Sequence, residues 1–177
     1  MSFNDLYALV SSEAQGFERW SDANEITAEW DGTQFPEGLE LDVFGPGEES
    51  GTFDSFGEIV IEAVAKGKTG LDTEARDFVE TIRADYSSSP NDNTIIEGIS
   101  STSHSIGWVG FAFAVEAAEA GDAKLLQVAV EDEGTCVTPT EETIGAAVFP
   151  VARFLYTYVN AAAAAEDEAI EAFVDYM

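Results

Sequence analysis

Apolar residues recur at helical spacing from Phe3 to Val10, with Leu6, Tyr7, Leu9 and Val10 on one stripe and Ser2 or Asn4 placed to cap it. The period changes at Leu39-Glu40-Leu41-Asp42-Val43-Phe44, where apolar and acidic residues alternate as a half-buried strand requires. That run enters Gly45-Pro46-Gly47-Glu48-Glu49-Ser50-Gly51-Thr52. Phe53, Phe56, Ile59, Val60 and Val64 then return to helical spacing, so the order is strand, glycine-rich turn, helix. Gly67 to Gly70 ends that helix.

Further helices are expected over Thr73 to Ile82, over Thr94 to Ile99 behind an Asp92 or Asn93 cap, and over Phe111 to Ala120. Thr140 is placed as an N-cap before Glu141 and Glu142, and Ala162 to Tyr176 reads as a terminal helix. Short apolar runs at Ile106 to Gly110, Leu125 to Val130 and Phe154 to Val159 read as strands. Strands alternating with helices predict an α/β sandwich with a largely parallel or mixed sheet.

Composition adds one strong constraint. The 177 residues hold 35 Asp and Glu against 7 Lys and Arg, a formal net charge of -28. Such a surface repels phosphodiester backbones and anionic lipid, which excludes nucleic acid as a partner. The acids are spread along the chain, as in a solvated coat suited to salty surroundings. Cys136 is the only cysteine and His104 the only histidine, so an intrachain disulfide and Cys- or His-rich metal sites are excluded. Cys136 is expected to pack as an inert thiol, and no cofactor is implied. The longest apolar stretch, Ile106 to Ala118, is too short to span a bilayer and carries Glu116. Met1 to Asp5 does not read as a signal peptide.

The turn before Phe53 is the strongest chemical feature. A helix starting near Thr52 offers unpaired N–H groups and the positive end of its dipole to an anion. Gly51 permits close approach, and the Ser50 and Thr52 hydroxyls add donors. A second reading stands beside it, in which Ser50 merely caps its own helix.

Gly45 to Phe56 closely resembles the second-lobe anion loop of the phosphate-binding proteins that feed ABC-type phosphate importers, the PstS-like type II periplasmic binding proteins. The resemblance continues in order through Arg83-Ala84-Asp85-Tyr86, Asn91-Asp92-Asn93, Ile106-Gly107-Trp108-Val109-Gly110-Phe111-Ala112, Val137 to Thr143 and Tyr156 to Asn160. Phe3 to Asn24 is similar to the stretch preceding that lobe. The resemblance implies a three-layer α/β/α lobe with a mixed sheet, incomplete relative to the two-lobed family. Residues 1–150 would form the anion-loop lobe, and 151–177 a returning strand and helix belonging to the other.

It further implies that Ser50, Gly51, Thr52 and Arg83 contact inorganic phosphate, with Arg83 in a charge-assisted bond. Arg83 has an ordinary reading too, as a surface ion pair with Asp85 or Glu80. Some relatives carry their arginine just before the Ser-Gly-Thr turn, where this chain has Pro46 and Gly47. By the same resemblance the setting is periplasmic or extracellular, with the permease of an ABC importer as partner. A homodimer could instead cover a lobe surface left open.

An enzymatic alternative finds little support. A serine hydrolase built on Ser50 needs a base and an elbow, yet Glu48 occupies the first glycine position of Gly-x-Ser-x-Gly. Other open readings are sulfate, molybdate or a small organic acid at the same turn, and a stand-alone interaction module.

Overall fold

The computed structural model describes residues 1–30, 32–68, 70–129 and 134–176. Helix α1 (Phe3–Val10) begins at a capping box: the Ser2 hydroxyl accepts from Asp5 N–H and the Asp5 carboxylate accepts from Ser2 N–H. Its burial extends beyond the expected apolar stripe, because Phe3 and every residue from Asp5 to Val10 are buried. A helix enclosed on all sides must account for its polar groups. Asp5 does so by also accepting from Thr33 N–H at 3.1 Å. Burial pushes its carboxyl up, but the Ser2 and Thr33 hydrogen bonds outweigh that and leave it below the ordinary carboxylate value. A short helix α2 (Asn24–Ala28) follows and packs against α1.

Strand β1 (Asp42–Gly45) is the centre of a three-stranded, wholly parallel sheet. It is flanked by β2 (Ser87–Ser88), in register Phe44↔Ser87, and by β3 (Ser105–Gly107), in register Val43↔Ile106. Alternate residues of β1 face opposite layers. Val43 belongs to the core with Leu6, Leu9, Val60 and Val64. Phe44 faces helix α6 (Asp92–Ser101), where a side chain on Gly98 would come within 2.4 Å of the Phe44 ring. Helices on both faces of a parallel sheet make the three-layer α/β lobe that the alternation of elements predicted.

The helix after β1 runs from Gly51 to Gly67 as α3 (Gly51–Phe56), a π-helical turn (Gly57–Glu62) and α4 (Ala63–Gly67), all right-handed. Its buried face is Phe56, Val60, Ile61, Val64 and Ala65, and the π-helical turn and α4 lie on α1. Helix α5 (Thr73–Val79) is capped by Asp72 and is shorter than its apolar pattern indicated. Helix α7 (Phe111–Ala120) ends at Gly121 with φ 86°, the left-handed cap that glycine supplies. Strands β4 (Val128–Ala129) and β5 (Cys136–Val137) form an antiparallel ribbon. Val130, within the expected strand, lies outside the described residues, as does Met177. Cys136 is exposed, not packed, because a two-stranded ribbon covers neither face completely.

Helix α8 (Glu141–Gly145) starts at Thr140, whose hydroxyl accepts from Thr143 N–H as expected. Beyond it the chain extends over residues 152–160, then forms α9 (Ala161–Ala164) and α10 (Glu168–Tyr176). Phe154 to Val159 was expected as a strand, but among the described residues no strand pairs with it. Leu155, Tyr156 and Tyr158 are 83%, 75% and 93% exposed. The terminal helix is broken at Glu166-Asp167, where Asp167 Oδ1 accepts from Ala169 N–H and starts α10 afresh.

Candidate functional site

The turn from Gly45 to Thr52 leaves the carboxyl end of the central strand, where open α/β sheets place their ligands. Its floor is aromatic. Trp108 stacks on Phe56 with ring centres 4.8 Å apart and an interplanar angle of 17°, and it meets Tyr86 at 5.2 Å. Position 45 must be glycine for this, because a Cβ there would lie 2.6 Å from the Trp108 ring. Tyr86 Oη donates to Pro46 O at 2.6 Å, and Ser89 N–H donates to Gly45 O at 3.1 Å, so the turn is tied to the loop around β2. Burial, then the charges of Glu49 and Glu48, push the Tyr86 phenol up to about 12, which keeps it a donor at neutral pH. The Trp108 indole N–H is buried without an acceptor among the described residues.

Ser50 holds the extended conformation of an N-cap, and its Oγ accepts from Thr52 N–H at 3.2 Å. Ser50 N–H is spent on Gly47 O at 3.0 Å, and Asp54 N–H on Ser50 O at 3.2 Å. By helix geometry the Gly51 and Phe53 N–H groups have no intrahelical acceptor and point along the axis. The turn thus offers backbone donors, a dipole end and two hydroxyls to an anion. The exposed Glu48 and Glu49 beside it act against one.

Ser50, Gly51 and Thr52 are therefore together. Arg83 is elsewhere. It precedes β2, whereas the turn follows the parallel β1, so the two lie at opposite ends of the sheet. Arg83 is 4% exposed. Its Nε donates to Asp85 Oδ1 at 2.6 Å and its Nη2 to Asp85 Oδ2 at 2.9 Å, a bidentate pair. Nη2 also donates to Phe17 O at 3.0 Å and Nη1 to Leu9 O at 3.3 Å. The pairing with Asp85 is the ordinary reading of this arginine, buried instead of at the surface. The Arg83 hydrogen bond, opposed by burial, holds the Asp85 carboxyl below its usual value. Arg83 and Asp85 line a cleft of about 460 Å³ with Arg19, Glu40 and Asp42 at the amino end of the strands.

Another cation reaches the turn. Arg153 Nη2 donates to Gly51 O at 3.1 Å and fills the space a side chain at position 51 would need. It stands 102 positions away in sequence, beyond the reach of any local motif. A second cleft, about 400 Å³, runs along the outer face of α3 past Glu48, Asp54, Glu58, Glu62 and Glu80. Ser50, Gly51 and Thr52 lie outside both clefts, on open surface. Among the described residues no group of three or more His, Cys, Asp or Glu could hold a metal ion, and no helix is long and apolar enough to cross a membrane.

A PBP superfamily domain profile matches residues 2–177. Protein SphX of Synechocystis is 30% identical over 161 residues, which is 89% of this chain and 42% of that protein. Protein SphX of Synechococcus elongatus is 30% identical over 177 residues, 98% of this chain and 46% of its own length. This chain thus spans less than half the length of the curated relatives it matches. Two crystal structures share the fold. A possible phosphate binding protein from Planctomyces limnophilus superposes with TM-score 0.59 at 24% identity, over 83% of this chain and 42% of its own. PstS from Borrelia burgdorferi superposes with TM-score 0.59 at 21% identity, over 100% of this chain and 56% of its own.

Proposed function

The chain belongs to the PBP superfamily and has a PstS-like, type II α/β lobe, and from that membership we propose that it binds inorganic phosphate at the Ser50-Gly51-Thr52 turn. One observation carries the reading. The N-terminus of a long helix, capped by Ser50 and opened by Gly51, stands at the carboxyl end of the central parallel strand. The names of two solved neighbours refer to phosphate binding or to PstS, and they favour phosphate over other oxyanions at such a turn.

The turn is one jaw of a two-jawed site. Residues 1–150 form the lobe that carries it, and 151–177 form a segment that belongs with a second lobe. The exposure of Phe154, Leu155, Tyr156 and Tyr158 supports that division, since an extended run apolar on both faces is built for the interior of a sheet. The setting we infer is the substrate-binding component of an ABC-type phosphate importer, outside the cytoplasmic membrane, with the permease as partner.

Calorimetric titration with phosphate and sulfate tests the reading. Phosphate should bind in preference to sulfate, and Ser50→Ala and Thr52→Val should each weaken it by about 1–3 kcal/mol. Unchanged affinity in both variants would reduce Ser50 to a helix cap and refute the site.

A further inference from the structure

We propose that Arg153 is the cationic contact for the anion held at the Ser50-Gly51-Thr52 turn, an inference that rests on the phosphate reading above. The chain has seven cationic side chains, Arg19, Lys66, Lys68, Arg76, Arg83, Lys124 and Arg153. Their placement separates them. Lys68 Nζ is 2.7 Å from Glu13 and 3.3 Å from Glu29, and stands over the rings of Tyr7 and Trp30. Lys66 pairs with Glu62, one turn back on the same helix. Arg76 donates to the carbonyls of Ala65, Lys66 and Lys68, where α4 ends. Arg83 is buried and paired with Asp85, and Arg19 lines the same cleft among Glu18, Glu40 and Asp42. Lys124 follows α7. Arg153 is the cation whose guanidinium is hydrogen-bonded to the turn.

The contact has a shape suited to the role. Position 51 has no Cβ, and Arg153 Nη2 lies 3.1 Å from where that atom would be, so the glycine and the guanidinium share one space. One N–H is given to Gly51 O. A guanidinium carries five donors in a rigid fork, so four N–H groups remain for an oxyanion after the bond to this carbonyl. Arg153 is exposed, so a ligand can reach it. Glu48 and Glu49 on the approach make a compensating cation necessary: without one, a doubly charged anion would meet two carboxylates and only neutral donors. The arginine also immediately precedes the exposed run from Phe154 to Val159. Docking of that run on a second lobe would fix the guanidinium over the turn and complete the site.

The test compares the unaltered chain with Arg153→Gln, Arg153→Lys and Ser50→Ala by phosphate calorimetry, with melting temperatures measured alongside. Arg153→Gln should weaken phosphate binding about tenfold or more at unchanged melting temperature, with Arg153→Lys between the two. In the unaltered chain, phosphate should shield Arg153 from phenylglyoxal, read by peptide mass mapping, while buried Arg83 stays unmodified with or without phosphate. Weakening by Ser50→Ala but not by Arg153→Gln overturns the arginine's role and leaves the turn as the site. Weakening by Arg153→Gln without shielding makes Arg153 a tether for the C-terminal segment and overturns the contact. Absence of phosphate binding by the unaltered chain overturns the functional reading and this inference together.

Discussion

Replacing Arg83 by methionine separates the two roles open to this arginine, since methionine keeps the stem and removes every donor. The structure sets what is lost: the Nε and Nη2 bonds to Asp85 at 2.6 and 2.9 Å, and the bonds to Phe17 O and Leu9 O at 3.0 and 3.3 Å. Asp85 keeps only its bond from Gly16 N–H among these partners, and two carbonyls beside α1 lose their donor. Asp85 is exposed and water can replace its lost partner, so the cost falls mainly on the carbonyls of Leu9 and Phe17 left without their donor, about 1–3 kcal/mol. A domain holds about 5–15 kcal/mol in total, so the variant should be measurably weakened.

The acid side gives a second signature. Asp85 has a depressed carboxyl, so the stability it contributes is complete above the ordinary Asp value and is lost as pH falls through the lower, folded value. The gap between parent and variant should therefore narrow below about pH 4. Urea titrations followed by far-ultraviolet circular dichroism, at fixed salt and several pH values, measure both effects. A variant as stable as the parent but unable to bind phosphate would refute the reasoning and return Arg83 to the ligand.

Two further outcomes follow from packing and charge. Gly107→Ala would place a methyl 2.6 Å from Phe44 O and from Ile99 Cδ1, and because one of these is backbone the sheet must shift, at a cost of about 1–3 kcal/mol that a lowered urea midpoint measures. A chain of net charge -28 repels itself, so its melting temperature should climb as sodium chloride screens that field, and a flat response would reject a coat adapted to salt.

What the sequence made legible was local. The alternation of Leu39 to Phe44, the glycine-rich turn and the apolar spacing from Phe53 to Val64 together specify strand, turn and helix, because each is decided by neighbours in the chain. The bounds of α7 and the Thr140 cap were legible for the same reason. Partners were not. The stripe on α1 gave no sign that its other faces are also covered, since that depends on α2 and on the π-helical turn. Cys136 sits in an apolar-looking context yet is exposed on its two-stranded ribbon. The site divided along the same line. Ser50, Gly51 and Thr52 are consecutive and could be read together, whereas a guanidinium from position 153 reaches them only through the fold. Arg83 stands in a motif-like setting, and its bonds to Leu9 O and Phe17 O, away from the turn, depend on the fold and not on that motif.

The exposed run from Phe154 to Val159 also sets the colloidal behaviour of the lobe. Its large apolar and aromatic side chains face solvent, a template on which a second such run can pack. Mutual repulsion between chains of net charge -28 is what holds two such templates apart. Salt therefore acts twice and in opposite senses: the ions that relieve repulsion within one lobe also remove the barrier between lobes. Conditions that most favour the folded lobe are those in which its exposed aromatic run most needs a cover.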